Sequence, residues 1–314
     1  MIHHVPSNRM SLLLGVALCL SIPSPAFAAE AKAKTAGQAE AKPKAGQAKA
    51  KTPAPRLSAA EVVKKHVAAR GGAQAWKSVE ALSLSGKMDA GSGDSVDRSM
   101  RTVQGSGAAG KRGRREIAAA AAQAQPDKQV QLPFKLARAR PNRSRLEIEF
   151  AGKTAVQVYD GTNGWKLRPY LNRDDVEPFT LQEAKTEAES PELEGFLIGY
   201  EAKGTKVELA GVEPVEGRDA YKLKVTTRTG TVRHVWIDAK SFLDVKVEGS
   251  PRRMDGKLHD VWVYQRDFRT VQGLKIPFVL ETAVDGYAQT HKIHLEKVAV
   301  NPKLDAATFA KPKA

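Results

Sequence analysis

The sequence predicts a mainly β (α+β) fold, a wide antiparallel meander with a few helices. About ten runs alternate apolar and polar residues with a period of two, and glycine-bearing turns separate them. The stretch Val156-Gln157-Val158-Tyr159-Asp160-Gly161-Thr162-Asn163-Gly164-Trp165-Lys166-Leu167 carries Asp-Gly and Asn-Gly between two such runs. Those pairs tolerate the positive φ angles that a β-hairpin loop demands. It reads as a hairpin with one apolar and one charged face.

In chain order, Ser58-Ala59-Ala60-Glu61 is a capping box, in which Ser58 and Glu61 satisfy each other's backbone donors at the start of a helix. Val62, Val63 and Val67 share one side of that helix, and Gly71-Gly72 ends it. A short second helix is expected over Ala73 to Ser78, including Trp76. Leu82 and Leu84 open the period-two pattern. It continues through Leu146, Ile148 and Phe150, then Val207 and Leu209, then Tyr221, Leu223 and Val225. Val245 and Val247 follow, and Ile276, Phe278, Leu280, Ile293 and Leu295 close the series. Turns fall at Gly152, Gly161, Gly204, Gly217, Gly230, Gly256, Gly273 and Gly286. Leu181 to Ser190 reads as a polar, weakly amphipathic helix. Residues 89–130 are an irregular insertion of Gly/Ser stretches, the basic run Lys111-Arg112-Gly113-Arg114-Arg115 and an alanine tract, read as a solvated loop. Pro133-Phe134 restarts strand-like sequence.

A sheet this wide has more apolar face than a few short helices can cover. It must either close into a filled barrel or stay partly open around a cavity. Because an uncovered apolar sheet invites aggregation, a lined cavity that accepts an apolar ligand is the expected resolution.

Residues 1–28 read as a secretory signal: Arg9, the apolar run Ser11 to Ile22, and the cleavage pattern Ala26-Phe27-Ala28. The run is too short for the roughly 20 apolar residues of a membrane span. Acylation at Cys19 is the weaker alternative, since Leu18 stands where a small residue is expected. Removing the signal removes the only cysteine, and with it thiol and disulfide chemistry. Residues 29–56 hold no apolar side chain larger than alanine and read as a disordered Ala/Lys/Pro-rich linker. The domain is then 57–314. Of the formal charge of +15, the linker contributes five and Arg9 one, leaving about nine on the domain. Export argues against a nucleic-acid partner, and the remaining charge fits solubility or a mild attraction to anionic head groups.

No residue pattern announces catalysis, a metal or a cofactor. His291 and His294 are three apart, which puts them on opposite faces of a strand, and His66, His234 and His259 are isolated. There is no G-x-S-x-G elbow, no H-E-x-x-H and no phosphate-cradling loop. Asp174-Asp175 with Glu177 reads as a polar loop, and the glycosylation pattern at Asn142 as incidental. The expectation is a non-enzymatic protein.

The hairpin Val158-Tyr159-Asp160-Gly161-Thr162-Asn163-Gly164-Trp165-Lys166-Leu167-Arg168-Pro169-Tyr170 resembles the hallmark hairpin of bacterial outer-membrane lipoprotein-sorting proteins of the LolA-like superfamily. Three further segments resemble that family in the same order: Val215 to Leu223, His234 to Leu243, and Phe268 to Phe278. The resemblance covers about residues 57–100 and 130–312. It implies a half-open antiparallel β-barrel, of about ten or eleven strands here, with helices over an apolar cavity. It also implies a periplasmic carrier of lipoprotein acyl chains or another lipid, served by an inner-membrane donor and an outer-membrane acceptor. The alternative is an envelope sensor that recognises lipoproteins and signals through a partner. The candidate lipid-binding residues are Phe134, Leu146, Ile148, Phe150, Val158, Trp165, Leu167, Leu223, Trp236, Trp262, Phe278 and Leu280.

Overall fold

The structure is a computed structural model that describes residues 57–92, 129–169, 173–254 and 256–313. The expected signal peptide, the linker and residues 93–128 of the insertion lie outside the described residues.

Two helices open the described residues. Helix α1 (Ala59–Ala69) starts at the expected capping box, with the Glu61 amide donating to Ser58 Oγ and the Glu61 carboxylate accepting from the Ser58 amide. It ends at Gly71 and Gly72, whose amides donate to the Ala68 and Val67 carbonyls in a Schellman arrangement. Gly71 has φ +107°, and a Cβ there would stand 2.3 Å from the Gly273 carbonyl oxygen. Only glycine lets the end of α1 lie this close to that turn. Helix α2 (Ala73–Lys77) buries Trp76.

Fifteen strands follow: β1 (Ala81–Ser92), β2 (Gln129–Ala139), β3 (Arg143–Phe150), β4 (Lys153–Tyr159), β5 (Gly164–Arg168), β6 (Arg173–Pro178), β7 (Lys206–Val215), β8 (Arg218–Thr226), β9 (Val232–Asp238), β10 (Asp244–Glu248), β11 (Arg252–Met254), β12 (Lys257–His259), β13 (Val261–Val271), β14 (Leu274–Val284) and β15 (His291–Val300). Helix α3 (Leu181–Ala188) separates β6 from β7, and a 3-10 turn (Ala306–Phe309) follows β15. Thirteen strands form one antiparallel sheet in the order β6-β5-β4-β3-β2-β1-β15-β14-β13-β10-β9-β8-β7, and β11-β12 is a separate hairpin.

The expectation of ten or eleven strands is therefore corrected to thirteen in the main sheet, and the sheet does not close into a barrel. Its edges, β6 and β7, are not paired with each other. The undercount has a physical cause. An edge strand needs only backbone pairing on one side, so β6 holds its place with Asp174, Asp175 and Glu177 and shows no apolar alternation. The acidic stretch read as a loop is this strand. Likewise β1 and β2 run further into the insertion than expected, with Met88 opposite Leu132 and Asp89 opposite Gln131.

The register sorts the described side chains of the sheet onto two faces. Leu82, Leu84, Leu132, Phe134, Leu136, Leu146, Ile148, Ile276, Phe278, Leu280, Ile293 and Leu295 pack in one inner core with Trp76. Across the sheet, Tyr221, Leu223, Val225, Val235 and Ile237 pack under Val62 and Val63 of α1. The opposite, outer face carries two smaller clusters, one around Val156, Val158 and Phe309 and the other around Trp236.

Candidate ligand cavity

A half-open cavity of about 230 Å³ lies between the inner face of the sheet and the elements over it. Its apolar wall comes from Leu82 and Leu84 of β1, Leu295 of β15, Ile276 and Leu280 of β14, Val261 and Val263 of β13, and Val235 of β9. Trp76 closes it from α2, and the segment 191–197 lies over it. Gly249, Ser250, Pro251 and Arg252, on the stretch from β10 into the β11–β12 hairpin, line it too and, less buried than the leucine wall, form part of its rim.

The polar groups of the wall are fixed by one another. Arg70, at the end of α1, donates from Nη1 to both oxygens of Asp244 (2.9 and 3.2 Å) and from Nε to the Lys275 carbonyl (2.9 Å). Its own carbonyl accepts from Trp76 Nε1 at 3.0 Å, and its guanidinium lies 5.0 Å from the Trp76 ring centre. One side chain thus ties α1, α2, β10 and β14 together at the cavity wall. Burial alone would raise the Asp244 pKa, but the Arg70 charge beside it brings the carboxyl below its ordinary value. His66 hydrogen-bonds the Phe242 carbonyl through Nδ1 at 3.0 Å, and burial pushes its pKa down, so the ring is neutral at pH 7.

The segment over the cavity is pinned by a second ion cluster. Arg140, at the end of β2, pairs with Glu192 and Glu194 (2.8 Å each), and Lys203 closes on Glu194 at 2.7 Å. Burial would raise the Glu194 pKa, yet the hydrogen bond from Lys203 draws it below the usual value. Arg138 donates to the Pro191 carbonyl at 2.6 Å.

Of the twelve candidate residues, Leu280 lies on the cavity wall. Phe134, Leu146, Ile148 and Phe278 belong to the same inner core, with Phe150 packed against it, but they do not line the cavity. Leu223 is buried under α1. Trp236 sits in an outer-face cluster with Trp262, and Lys246 Nζ lies 4.4 and 4.7 Å from the two ring centres. Val158, Trp165 and Leu167 are also on the outer face, where Leu304 and Phe309 cover them.

The hairpin is thus turned over relative to its sequence reading. Its apolar side faces outward, and its polar side is the inner one. There Lys166, 7 % exposed, meets Glu183 of α3 at 2.6 and 2.7 Å. Gly164 permits this loop, because a Cβ there would overlap the Phe179 ring. Sequence reasoning also missed Arg70, Asp244, Arg138 and Arg252. The available signal was position: Arg70 directly precedes Gly71-Gly72, and Pro251-Arg252-Arg253 interrupts the alternation between β10 and β13.

The fold is similar to that of three solved structures. A LolA superfamily protein from Nitrosomonas europaea superposes with a TM-score of 0.48 at 13 % identity, over 82 % of this chain and 99 % of that one. A DUF1329 family protein from Desulfovibrio piger gives 0.46 at 12 % identity, over 80 % and 97 %. A domain from Vibrio parahaemolyticus, named for outer membrane lipoprotein sorting, gives 0.45 at 13 % identity, over 80 % and 95 %. No family model matches the sequence, and no curated protein matches it.

Proposed function

We propose that this protein is a non-enzymatic periplasmic carrier that takes an acyl chain of a lipoprotein or another lipid into the cavity. The observation that carries the reading is the cavity itself, walled by Leu82, Leu84, Ile276, Leu280 and Leu295. Ligand pockets usually measure about 300–1,000 Å³. At about 230 Å³, this one suits a single chain or part of one. Each methylene buried from water contributes about 0.8 kcal/mol, so even half of a long chain is held firmly against water. Leaving a membrane gains almost nothing by comparison, since the bilayer is equally apolar. A carrier therefore takes its direction from a donor and an acceptor, here an inner-membrane and an outer-membrane partner.

Native mass spectrometry of the protein purified from its own periplasm tests the reading, with a co-purifying acyl lipid as the expected result. A transfer assay then separates carrier from sensor. A carrier passes bound lipid to acceptor vesicles, whereas a sensor of mislocalised lipoprotein binds and does not transfer. Absence of binding to every acyl ligand offered would sink both.

A further inference from the structure

Arg252 stands apart from the other charged groups of the cavity. Asp244 is neutralised by Arg70, and Glu192 and Glu194 by Arg140 and Lys203. Glu248 is held by the His234 amide (2.9 Å) and ring nitrogen (2.5 Å). Among the described residues, the Arg252 guanidinium forms no hydrogen bond and no ion pair, although the side chain lines the cavity and the residue is half-buried. Nearby His291 of β15 supplies no counter-charge, because an imidazole is neutral or cationic, and burial and the Arg252 charge lower its pKa. A partly desolvated guanidinium without a partner costs stability in the ligand-free protein. Burial is also what lowers the pKa of this side chain.

The cost has a use if an anion completes the site. A guanidinium presents a planar fork of donors that matches a carboxylate or phosphate, and such charge-assisted pairs are stronger than neutral hydrogen bonds. The cavity then has the two parts an amphiphile needs, an apolar wall inside and one unpaired cation at the mouth. Building on the carrier reading above, we infer that Arg252 anchors the anionic head of a single-chain amphiphile, a carboxylate or phosphate monoester, whose tail enters between Leu82, Leu280 and Leu295. A triacylated anchor with an uncharged attachment point would leave Arg252 unanswered.

The test is calorimetric titration of the delipidated mature protein, and of Arg252→Met and Arg252→Lys, with hexadecanoate, hexadecyl phosphate and hexadecanol. The wild type should prefer at least one anion over the alcohol by about ten- to a hundredfold. Arg252→Met should erase the preference while leaving hexadecanol affinity in place, and Arg252→Lys should keep part of it. The tighter of the two anions identifies the head group. Arg252→Met should also melt higher than the wild type without ligand, which shows that the variant folds. Equal binding of anion and alcohol by the wild type, or an undiminished preference in Arg252→Met, overturns the anchor and leaves the cavity reading standing. Failure of all three probes to bind the wild type overturns the cavity reading and the anchor with it.

Discussion

Glu187 lies on α3, buried against the sheet, where its carboxylate accepts from Ser144 Oγ at 3.3 Å. Burial pushes its pKa from 4.5 to about 7, and the Arg138 charge offsets only part of that rise. A carboxyl raised on folding binds its proton more tightly in the folded state, so stability falls as pH climbs through the window from 4.5 to about 7. At roughly 1.4 kcal/mol per unit, the loss across that window is about 3 kcal/mol. Glu187→Gln should flatten this dependence. Denaturant melts at pH 4 should give the two proteins similar stability, and melts at pH 8 should favour the variant. A wild type as stable at pH 8 as at pH 4, with no gain in the variant, would contradict a buried protonated carboxyl. Lys166, nearby under the same helix, is the paired case: both oxygens of Glu183 accept from its Nζ.

At the scale of elements, the 3-10 turn over the β4–β5 hairpin makes a second prediction. Phe309 is 4 % exposed, packs with Val156 and Val158, and lies 4.9 Å from the Arg143 guanidinium. Phe309→Ala should cost about 3–5 kcal/mol. Trp165→Glu should also destabilise, while the folded fraction binds a fluorescent fatty acid as the wild type does. Lost binding in a fully stable Trp165→Glu would instead place this side chain at the ligand. These elements also mark how far the sequence could be read. The capping box, the Gly71-Gly72 stop and most strands were legible because each rests on local chemistry. Alternation in Val156, Val158, Trp165 and Leu167 announced two faces but not which is the inner one. That choice was made by α3 and by Leu304 and Phe309, which are distant in sequence from the hairpin. The cavity was legible as a need for cover, but its rim was not, since residues 249–252 have no period to read.

For the whole molecule, an open sheet leaves two edges to protect. Strand β7 exposes Leu209 and Val212, at 38 % and 46 %. Its pairing with β8 is interrupted between Leu209 and Gly211, Lys206 and Glu208 are charged, and Pro214 removes a donor. Bulges, charges and proline are the usual defences of an unpaired edge. Replacing Lys206 and Glu208 with valine should therefore turn a dispersed protein into one that self-associates, as read by light scattering. An unchanged particle size would mean that the remaining bulge and proline suffice.

Strand order carries a consequence in time. Among the described strands, the earliest in sequence, β1, sits mid-sheet between β2 and the latest, β15, with Leu82 opposite Val300. Until β15 has been synthesised and delivered, β1 lacks one neighbour and the inner core lacks Ile293 and Leu295. Such distant pairing slows folding, because the loop must close before its contacts repay the entropy. A chain emerging in order thus holds a half-built, greasy sheet until β15 arrives, which is the interval in which a holding chaperone has most to do.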